Sequence, residues 1–349
     1  MRRYLAAIVC VLIFLSAAYS SSFKELANEN TLETESVIQA HNDYITVQLK
    51  TTTGRFNIGT YPDNKSLTYF FPSPPWSSWV IVRVDGVSYV CPESDPIKVG
   101  PPVTQMNISR SFSVLAWPTN LDSSYIFGAW SIPGISRLEV RQILQPVYLV
   151  YPDDTTGSIF IKYVIINNST SIHDVGVLLL LDTDVDSNDE APVGTNLDYS
   201  RIERDFYNCD TCEFPCYWFA YGDPRGPLGP PDQVVAMGIL CGFDAVPPDR
   251  FAIGDWRRVG GLFRVQWSFF PSGANYGDSG VLLWWFPRTL YPGDTLVVAT
   301  YFGLGKPVPG EISINIPEYP RVVDCSYQPD SFSVMVFFTN GLDMRLRDL

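Results

Sequence analysis

The sequence predicts an all-β protein, a large antiparallel β-sandwich of two stacked layers. Many short segments alternate apolar and polar residues, which is the pattern of a strand with one buried face. Turn sequences rich in Gly, Pro, Asp and Asn separate these segments. No stretch of more than ten residues shows the periodicity of a helix, so layered sheets are the expected architecture.

The strand around which the domain is expected to form is Val175–Leu181, where every residue except one glycine is apolar. A continuous apolar run of this length predicts a strand covered on both faces. It leads directly into an acidic segment that ends at Glu190. A buried strand that ends in carboxylates would hold them on rigid scaffolding.

Other strands are predicted from alternation and turn chemistry. The clearest hairpin is Trp79–Val84 with Val87–Cys91, because its Asp85-Gly86 turn tolerates the positive φ angles that a two-residue turn needs. A second hairpin is expected to continue into Val175–Leu181 as a three-stranded meander. The remaining predictions, including that hairpin, are Tyr44–Lys50, Arg55–Thr60, Val147–Tyr151, Ser158–Ile166, Leu262–Phe270, Gly280–Phe286 and Thr295–Phe302.

The domain organisation follows from shifts in composition. Residues 1–20 combine two arginines, an apolar run and small residues, which predicts a signal peptide; an uncleaved membrane anchor is the alternative. Residues 21–43 are a polar lead-in, read as a linker or short helix over Phe23–Gln39. Residues 44–305 form the sandwich, with an irregular Pro- and Gly-rich insertion at about 192–258, in which Val234–Cys241 is a candidate strand. The mature protein is expected to be soluble and secreted, without a membrane span.

Residues 306–349 predict a partial immunoglobulin-like segment or docking strands. Gly310–Pro317 and Ser331–Gly341 both alternate, but two strands alone are not an independently stable fold. Three explanations stay open: a truncated sequence, docking on the main domain, or pairing with another chain.

The formal net charge is −13. This argues against nucleic-acid binding, which requires a basic surface. It fits an acidic exported protein or one that binds cations.

The acidic segment predicts a Ca²⁺ site, because hard cations take six to eight oxygen ligands. The candidate ligands are Asp182, Asp184, Asp186, Asn188, Asp189 and Glu190. An EF-hand is excluded, since Ser187 and Val193 stand where that loop has Gly and Glu. The alternative is a solvated turn whose side chains bond the local backbone.

Six cysteines remain once Cys10 of the leader is set aside. An even number in an exported chain predicts disulfides, and the sequence does not choose among the pairings. One alternative is a zinc site with Cys209, Cys212, Cys216 and Cys241 as its ligands. Another is a redox pair formed by Cys209-x-x-Cys212. The predicted disulfide cysteines are Cys91, Cys209, Cys212, Cys216, Cys241 and Cys325.

Catalytic residues do not stand out. His41 and His173 are the only histidines, and His173 is read as a turn hydrogen-bonder. Trp284 and Trp285 are adjacent on a strand, so one is expected to face inward and the other outward. Together with Trp76 and Trp79, they are candidates for stacking on sugars.

Two blocks carry a resemblance to a known family. The first comprises VRQ at 140–142, IINNS at 165–169 and HDVGVLLLLDT with the Asn-Asp pair at 173–189; the second is YGDSGVLLWWFPRTLYPGDTLVVATYFGLG at 276–305. They resemble uncharacterised exported bacterial β-proteins of the galactose-mutarotase-like β-supersandwich group. The terminal strands resemble the start of an immunoglobulin-like repeat. Glu190 stands where the family has Gly, and Asp184 and Asp186 are additional carboxylates.

Two functions follow from this sequence. The first is an exported, non-catalytic surface or structural module, Ca²⁺-stabilised, with a glycan or another surface protein as its partner. The second is a carbohydrate-active enzyme of mutarotase-like fold, an epimerase, lyase or glycosidase. A concave face that gathers His, Arg and two carboxylates would favour the second.

Overall fold

The apolar run in the middle of the sequence forms a strand, His173–Asp182, in the interior of a sheet. The computed structural model describes residues 36–75, 77–92, 104–117, 120–151, 154–209, 212–259 and 266–306, with strand residues 313–315, 322–328, 333–338 and 343–345. The signal peptide, most of the lead-in and Trp76 lie outside these ranges.

The described strands, in chain order, are β1 (Val37–His41), β2 (Ile45–Lys50), β3 (Phe56–Thr60), β4 (Trp79–Val84), β5 (Val87–Val90), β6 (Thr104–Gln105), β7 (Asn107–Trp117), β8 (Asn120–Ser131), β9 (Leu138–Val150), β10 (Thr155–Asn167), β11 (His173–Asp182), β12 (Val193–Thr195), β13 (Arg204–Tyr207), β14 (Tyr217–Tyr221), β15 (Val235–Ile239), β16 (Arg250–Asp255), β17 (Ser279–Leu290), β18 (Thr295–Leu304), β19 (Ser313–Asn315), β20 (Val322–Gln328), β21 (Ser333–Phe338) and β22 (Asp343–Arg345). Helical structure within the described residues is limited to one α-helical turn, Trp256–Val259, and 3-10 turns at Gly226–Leu228 and Gln266–Ser268. None of these segments has the length and apolar character needed to cross a membrane.

Within the described ranges the strands form four sheets. A seven-stranded sheet has the order β13-β16-β17-β11-β4-β5-β6, and a nine-stranded sheet has the order β12-β14-β15-β18-β10-β9-β8-β7, with β19 beside β9. The smaller sheets are β1-β2-β3 and β20-β21-β22. Neighbouring strands are antiparallel apart from β5 with β6. The predicted all-β, antiparallel fold is confirmed.

The two large sheets share one apolar core. Leu178 on β11 and Leu144 on β9, which belong to different sheets, lie in the same cluster and are fully buried. Trp218 of β14 stacks on Phe251 of β16 with ring centroids 6.0 Å apart. Side chains from the inner faces of the two sheets therefore interdigitate, as in a β-sandwich.

The hairpin predicted at Asp85-Gly86 is confirmed. Asp85 has φ 49° and Gly86 has φ 84°, so both central residues occupy the left-handed region that this turn requires. Strands β4 and β5 pair in register across it, with Val84 opposite Val87.

The predicted meander is wrong in one respect. Strands β9 and β10 pair with each other in the nine-stranded sheet, whereas β11 lies in the seven-stranded sheet. The polar connection after β10 carries the chain from one layer to the other. The side-chain amide of Asn167 fixes it by donating to the carbonyl oxygens of Ser171 and Leu290, at 2.9 and 3.0 Å.

The segment 192–258 contains more regular structure than the sequence predicts. It contributes five strands, β12 to β16, to the two large sheets. Only β15 is indicated by the sequence, at Val234–Cys241. The other four escape the sequence pattern because they are three to six residues long and are separated by Gly- and Pro-rich turns. The lead-in also ends as a strand, β1, and Gln266–Ser268 is a 3-10 turn rather than part of a strand.

Two disulfides lie within this segment. Cys209 is bonded to Cys212, and Cys216 to Cys241. The four sulfur atoms that a zinc site would need are therefore bonded in pairs. Cys91 is fully buried, its Sγ lies 3.7 Å from the carbonyl oxygen of Val80, and it forms no disulfide with a described cysteine.

Three of the four tryptophans predicted as sugar platforms lie within the described residues, and all three are core residues. Trp79, Trp284 and Trp285 are at most 3% exposed. Trp284 and Trp285 are both buried, so neither ring is exposed on an outer face of the sheet. The Trp285 indole N–H donates to the carbonyl of Val246 at 2.8 Å. The connection that contains Val246 covers what would otherwise be an outer face.

The terminal strands are described by their backbone alone. Strand β19 pairs antiparallel with the last residues of β9, with Ser313 opposite Val150. This pairing corresponds to the alternative in which the terminal strand docks on the main domain. The side chain of Cys325 and the division into domains at residue 306 lie beyond what the described residues test.

Candidate metal centre

Asp182 is the last residue of β11, an interior strand, and lies where β11 leaves the seven-stranded sheet, at the edge formed by the strand ends. Residues 175–181 are buried, and Asp182, the last residue of the strand, is only 1% exposed. Asp182 pairs with Gly280 near the start of β17. Because the two strands are antiparallel, Asp278, which immediately precedes β17, lies at the same edge as Asp182.

The chain after β11 turns back on itself. Asp186 and Ser187 have φ 52° and 69°, and Val185 and Asn188 exchange backbone hydrogen bonds of 3.2 and 3.0 Å across them. The reversal returns Asp189 toward the strand end, where its carbonyl oxygen accepts from the Ser279 N–H at 2.8 Å.

Asp182, Asp189 and Asp278 form one cluster, called here the acidic cluster. Each offers a carboxylate oxygen, and these atoms all lie within 4.8 Å of one another. Asp182 is buried, while the other two are partly exposed. The cluster is therefore open to solvent on one side, with Asp182 as its most deeply buried member.

Several carboxylate oxygens of this region have no hydrogen-bond partner among the described residues. They are both oxygens of Asp182 and the Oδ1 atoms of Asp184, Asp189 and Asp278. A buried polar atom left without a partner costs on the order of 1–3 kcal/mol, and more when charged. Five such atoms in one place require compensation from a proton or a cation.

Burial and mutual repulsion raise the pKa values of these carboxyl groups. Burial raises the pKa of Asp182 well above its usual range, and the charges of Asp278 and Asp189 add to the effect. Burial and the charge of Asp189 raise the pKa of Asp278 to about 7 and that of Asp184 to about 6. Burial also raises the pKa of Asp189. For each of these carboxyl groups, burial and neighbouring negative charge outweigh the groups that favour the anion, such as Ser77 beside Asp182 and Ser66 beside Asp184.

The nearest guanidinium does not neutralise the cluster. Arg257 lowers the pKa of Asp189 and Asp278, but its Nε and Nη2 donate to Asp255. Among the described residues, no ion pair joins Lys, Arg or His to any member of the cluster. The negative charge at this edge of the sheet is left without a direct partner.

The backbone of Asp182 is fixed from the opposite side. Its carbonyl oxygen accepts from the Tyr69 N–H at 3.0 Å, and its N–H donates to Ser78 Oγ at 3.2 Å. Burial raises the pKa of Tyr69, and the charges of Asp189 and Asp182 raise it further. The segment after β3 thus packs directly beside the cluster.

Half of the predicted ligands point elsewhere. Asp186 pairs with Lys65 at 3.0 Å, and Glu190 pairs with Arg201 at 3.5 Å. The Asn188 amide nitrogen donates to the carbonyl oxygens of Tyr221 and Gly222 at 3.4 and 3.0 Å. These three side chains thus have partners within the protein, none of which is the local backbone that the solvated-turn alternative expects. Asp184 contributes an unpartnered oxygen nearby but lies outside the three-residue cluster.

Asp278 is the member that the sequence reasoning missed. It lies in the Tyr-Gly-Asp-Ser-Gly segment at 276–280, 96 residues after Asp182 in sequence number. The pairing of β11 with β17 is what brings the two together. A carboxylate directly before a second apolar strand was the available signal.

The two histidines lie away from the acidic cluster. His173 is at the other end of β11, where its Nδ1 lies 2.7 Å from Asp85 Oδ2. His41 is exposed and stacks on Tyr61. Neither is placed to assist proton transfer at Asp182.

Comparisons with known proteins return structures alone. No family model matches the chain, and no curated protein does. A proposed aldose 1-epimerase from Escherichia coli K12 is 8% identical, with a TM-score of 0.42, over 77% of this chain and 99% of that one. A galactose mutarotase-like protein from Lactobacillus casei is 10% identical, with a TM-score of 0.39, over 77% and 100%.

A polysaccharide lyase is also similar, at 10% identity and a TM-score of 0.35, over 76% of this chain and 33% of that one. These structures include the group that the two sequence blocks resemble. At such identities and TM-scores, the activities of those proteins are not transferred to this chain.

Proposed function

We propose that the protein is an exported, non-catalytic β-sandwich module whose acidic cluster binds one Ca²⁺ ion and is stabilised by it. The observation that carries the proposal is Asp182, which is 1% exposed, has two unpartnered carboxylate oxygens and faces Asp189 and Asp278. A cation would supply the compensation that the protein itself does not.

The donor set and size of the cluster are compatible with Ca²⁺. Oxygens on opposite sides of a Ca²⁺ ion lie roughly 4.6–5.2 Å apart, twice the usual metal–oxygen distance, whereas Mg²⁺ demands near-ideal octahedral geometry and dehydrates reluctantly. The three oxygens of the cluster lie within 4.8 Å of one another. Water and carbonyl groups commonly complete the coordination of Ca²⁺ in proteins.

Export is supported by two features. The N-terminal residues have the composition of a signal peptide, and four cysteines are bonded in pairs. Disulfides persist in oxidising compartments. Extracellular fluids also supply the free Ca²⁺ that a site of moderate affinity requires.

Thermal unfolding with and without Ca²⁺ tests the proposal. In Ca²⁺ at 100 times its Kd, the purified protein should be more stable than in chelator by about 2.7 kcal/mol. Mg²⁺ at the same concentration should give a smaller shift. The Asp278→Asn variant should lose the Ca²⁺ response, while Glu213→Gln, which removes an exposed carboxylate elsewhere, should keep it. An equal melting temperature in Ca²⁺ and chelator would refute the proposal.

A carbohydrate-active enzyme is the second candidate, and one observation favours it. Asp278, with a pKa of about 7, lies beside other carboxylates. Most glycosidases use a pair of carboxyl groups in which one is protonated and the other is ionised. Ca²⁺ in the cluster would hold these groups ionised and remove the acid. Release of reducing sugar from polysaccharides in chelator, abolished by Asp278→Asn, would establish the enzyme instead.

A further inference from the structure

A pocket of about 420 Å³ includes Lys65, which pairs with Asp186 of the acidic segment. One wall is the turn after β3, with Tyr61, Asp63 and Lys65. The other wall is the segment 231–235, which leads into β15. Residues 304–306 at the end of β18 also line the pocket, together with Tyr44, Thr60 and Thr156. The volume lies at the small end of the range for ligand sites, about 300–1,000 Å³.

The charges in the pocket are unevenly paired. Lys65 forms an ion pair with Asp186 at 3.0 Å, and Lys306 forms one with Asp154 at 2.6 Å. Asp63 and Asp232 have no hydrogen bond or ion pair with any described residue. Two carboxylates are therefore left to accept hydrogen bonds from a ligand, and the lysines are already neutralised.

The pocket also presents aromatic rings. Tyr61 is 40% exposed, and His41 covers one face of its ring at a centroid distance of 4.3 Å. The Tyr44 ring packs edge-on against Tyr148 at 6.0 Å. Each tyrosine is thus supported by a neighbouring ring. Neither hydroxyl group has a partner among the described residues, so both can donate to or accept from a ligand.

From this lining we infer that the pocket binds a small hydroxyl-rich ligand that is cationic or neutral, an amino sugar by preference. Hydroxyl and ammonium groups would donate to Asp63 and Asp232, and a sugar ring would pack against the exposed tyrosine. An anionic sugar would meet two unpaired carboxylates and be rejected.

The turn at residues 185–188, called here the acidic turn, is linked to both walls of the pocket, directly to the first and through Gly222 to the second. On one side the Asp186 N–H donates to the carbonyl of Ser66 at 2.9 Å, next to Lys65. On the other side the Asn188 amide donates to Gly222, whose own N–H donates to Val234, a residue of the second wall, at 2.9 Å. Ordering of this turn by Ca²⁺ should therefore fix the spacing of the walls. This last step rests on the proposed function.

Calorimetric titration with three matched sugars tests the pocket. Glucosamine, glucose and glucuronic acid share one ring and differ in charge near neutral pH. In Ca²⁺, affinity should fall in that order, and the double variant Asp63→Asn, Asp232→Asn should weaken glucosamine binding about tenfold or more. Glu213→Gln, a matched loss of carboxylate outside the pocket, should bind as the wild type does. Absence of binding by all three sugars, or equal affinity for them, would overturn the inference.

Repeating the titration in chelator separates the two proposals. Weaker glucosamine binding in chelator, with no such difference in Asp278→Asn, supports the link between turn and pocket. Sugar binding that is unchanged in chelator overturns the link and leaves the pocket standing. If the melting temperature is also unaffected by Ca²⁺, the metal site fails independently of the pocket.

Discussion

Two carboxylates are buried to the same extent in this protein but are treated in opposite ways. Glu203 is 2% exposed, and its oxygens accept from Arg258, from the Asp255 N–H at 3.0 Å and from the Ser272 N–H at 2.7 Å. Asp182 is 1% exposed, and its oxygens accept from no described residue. Burial alone therefore does not identify a site. The absence of compensating donors does, because a charge needed only for folding is supplied with partners.

The largest effect is expected at Glu203. Glu203→Ala leaves Arg258 and the two N–H donors without their acceptor, and a donor buried without its partner costs about 1–3 kcal/mol. Urea unfolding should show this loss equally in Ca²⁺ and in chelator. The milder Glu203→Gln serves if the alanine variant does not fold. A loss that Ca²⁺ changes would mean that Glu203 belongs to the metal site.

Asp182 should respond with the opposite sign. Without Ca²⁺, Asp182→Asn removes a carboxyl group that burial and two neighbours disfavour as an anion, so the free energy of unfolding should rise by about 1 kcal/mol. The variant should also lose the Ca²⁺ response. Urea unfolding in chelator measures the first effect and calorimetry with Ca²⁺ the second. Destabilisation in chelator would show that Asp182 has a structural role like that of Glu203.

The pH dependence of stability sharpens the same contrast. Asp278 and Asp184 have pKa values of about 7 and about 6 in the folded protein, above the ordinary value near 3.9 of the unfolded chain. The folded state therefore binds more protons between about pH 4 and pH 7. Their contribution to stability is greatest at the acid end of this window and is lost as the pH rises through it.

In chelator, the difference in unfolding free energy between wild type and Asp278→Asn should change across this window, with the wild type losing relative stability toward pH 7. Saturating Ca²⁺ should abolish the loss at the upper end, because the ion stabilises the ionised carboxylates. A difference that is constant with pH in chelator would contradict the raised pKa of Asp278.

The sequence predicted those features that local pattern determines. The apolar run of β11 predicts a strand buried on both faces, and Asp85-Gly86 predicts its hairpin. Pairing between distant segments leaves no such pattern, so the change of sheet between β10 and β11 was missed. Short strands such as β12, three residues long, carry too few residues to show alternation.

The acidic cluster was predicted only in part, and for the same reason. Asp182 and Asp189 were found because they flank one strand end. Asp278 was missed because the pairing of β11 with β17, which places it, is a long-range contact. Asp186 was included because alternate carboxylates look like a metal loop, but the positive φ angles of Asp186 and Ser187 turn the chain and break the alternation.

Asp186→Asn is therefore the smallest and most discriminating change. The Asp186–Lys65 pair has side chains 40% and 43% exposed, and an exposed ion pair contributes about 0–1 kcal/mol. Unfolding in chelator should change by no more than that, and the Ca²⁺ affinity measured by calorimetry should stay within about threefold of wild type. Loss of Ca²⁺ binding in this variant would mean that the ion sits among alternate side chains of the turn, as in the linear pattern of the sequence. Retention places the ion where two distant strands bring three aspartates together.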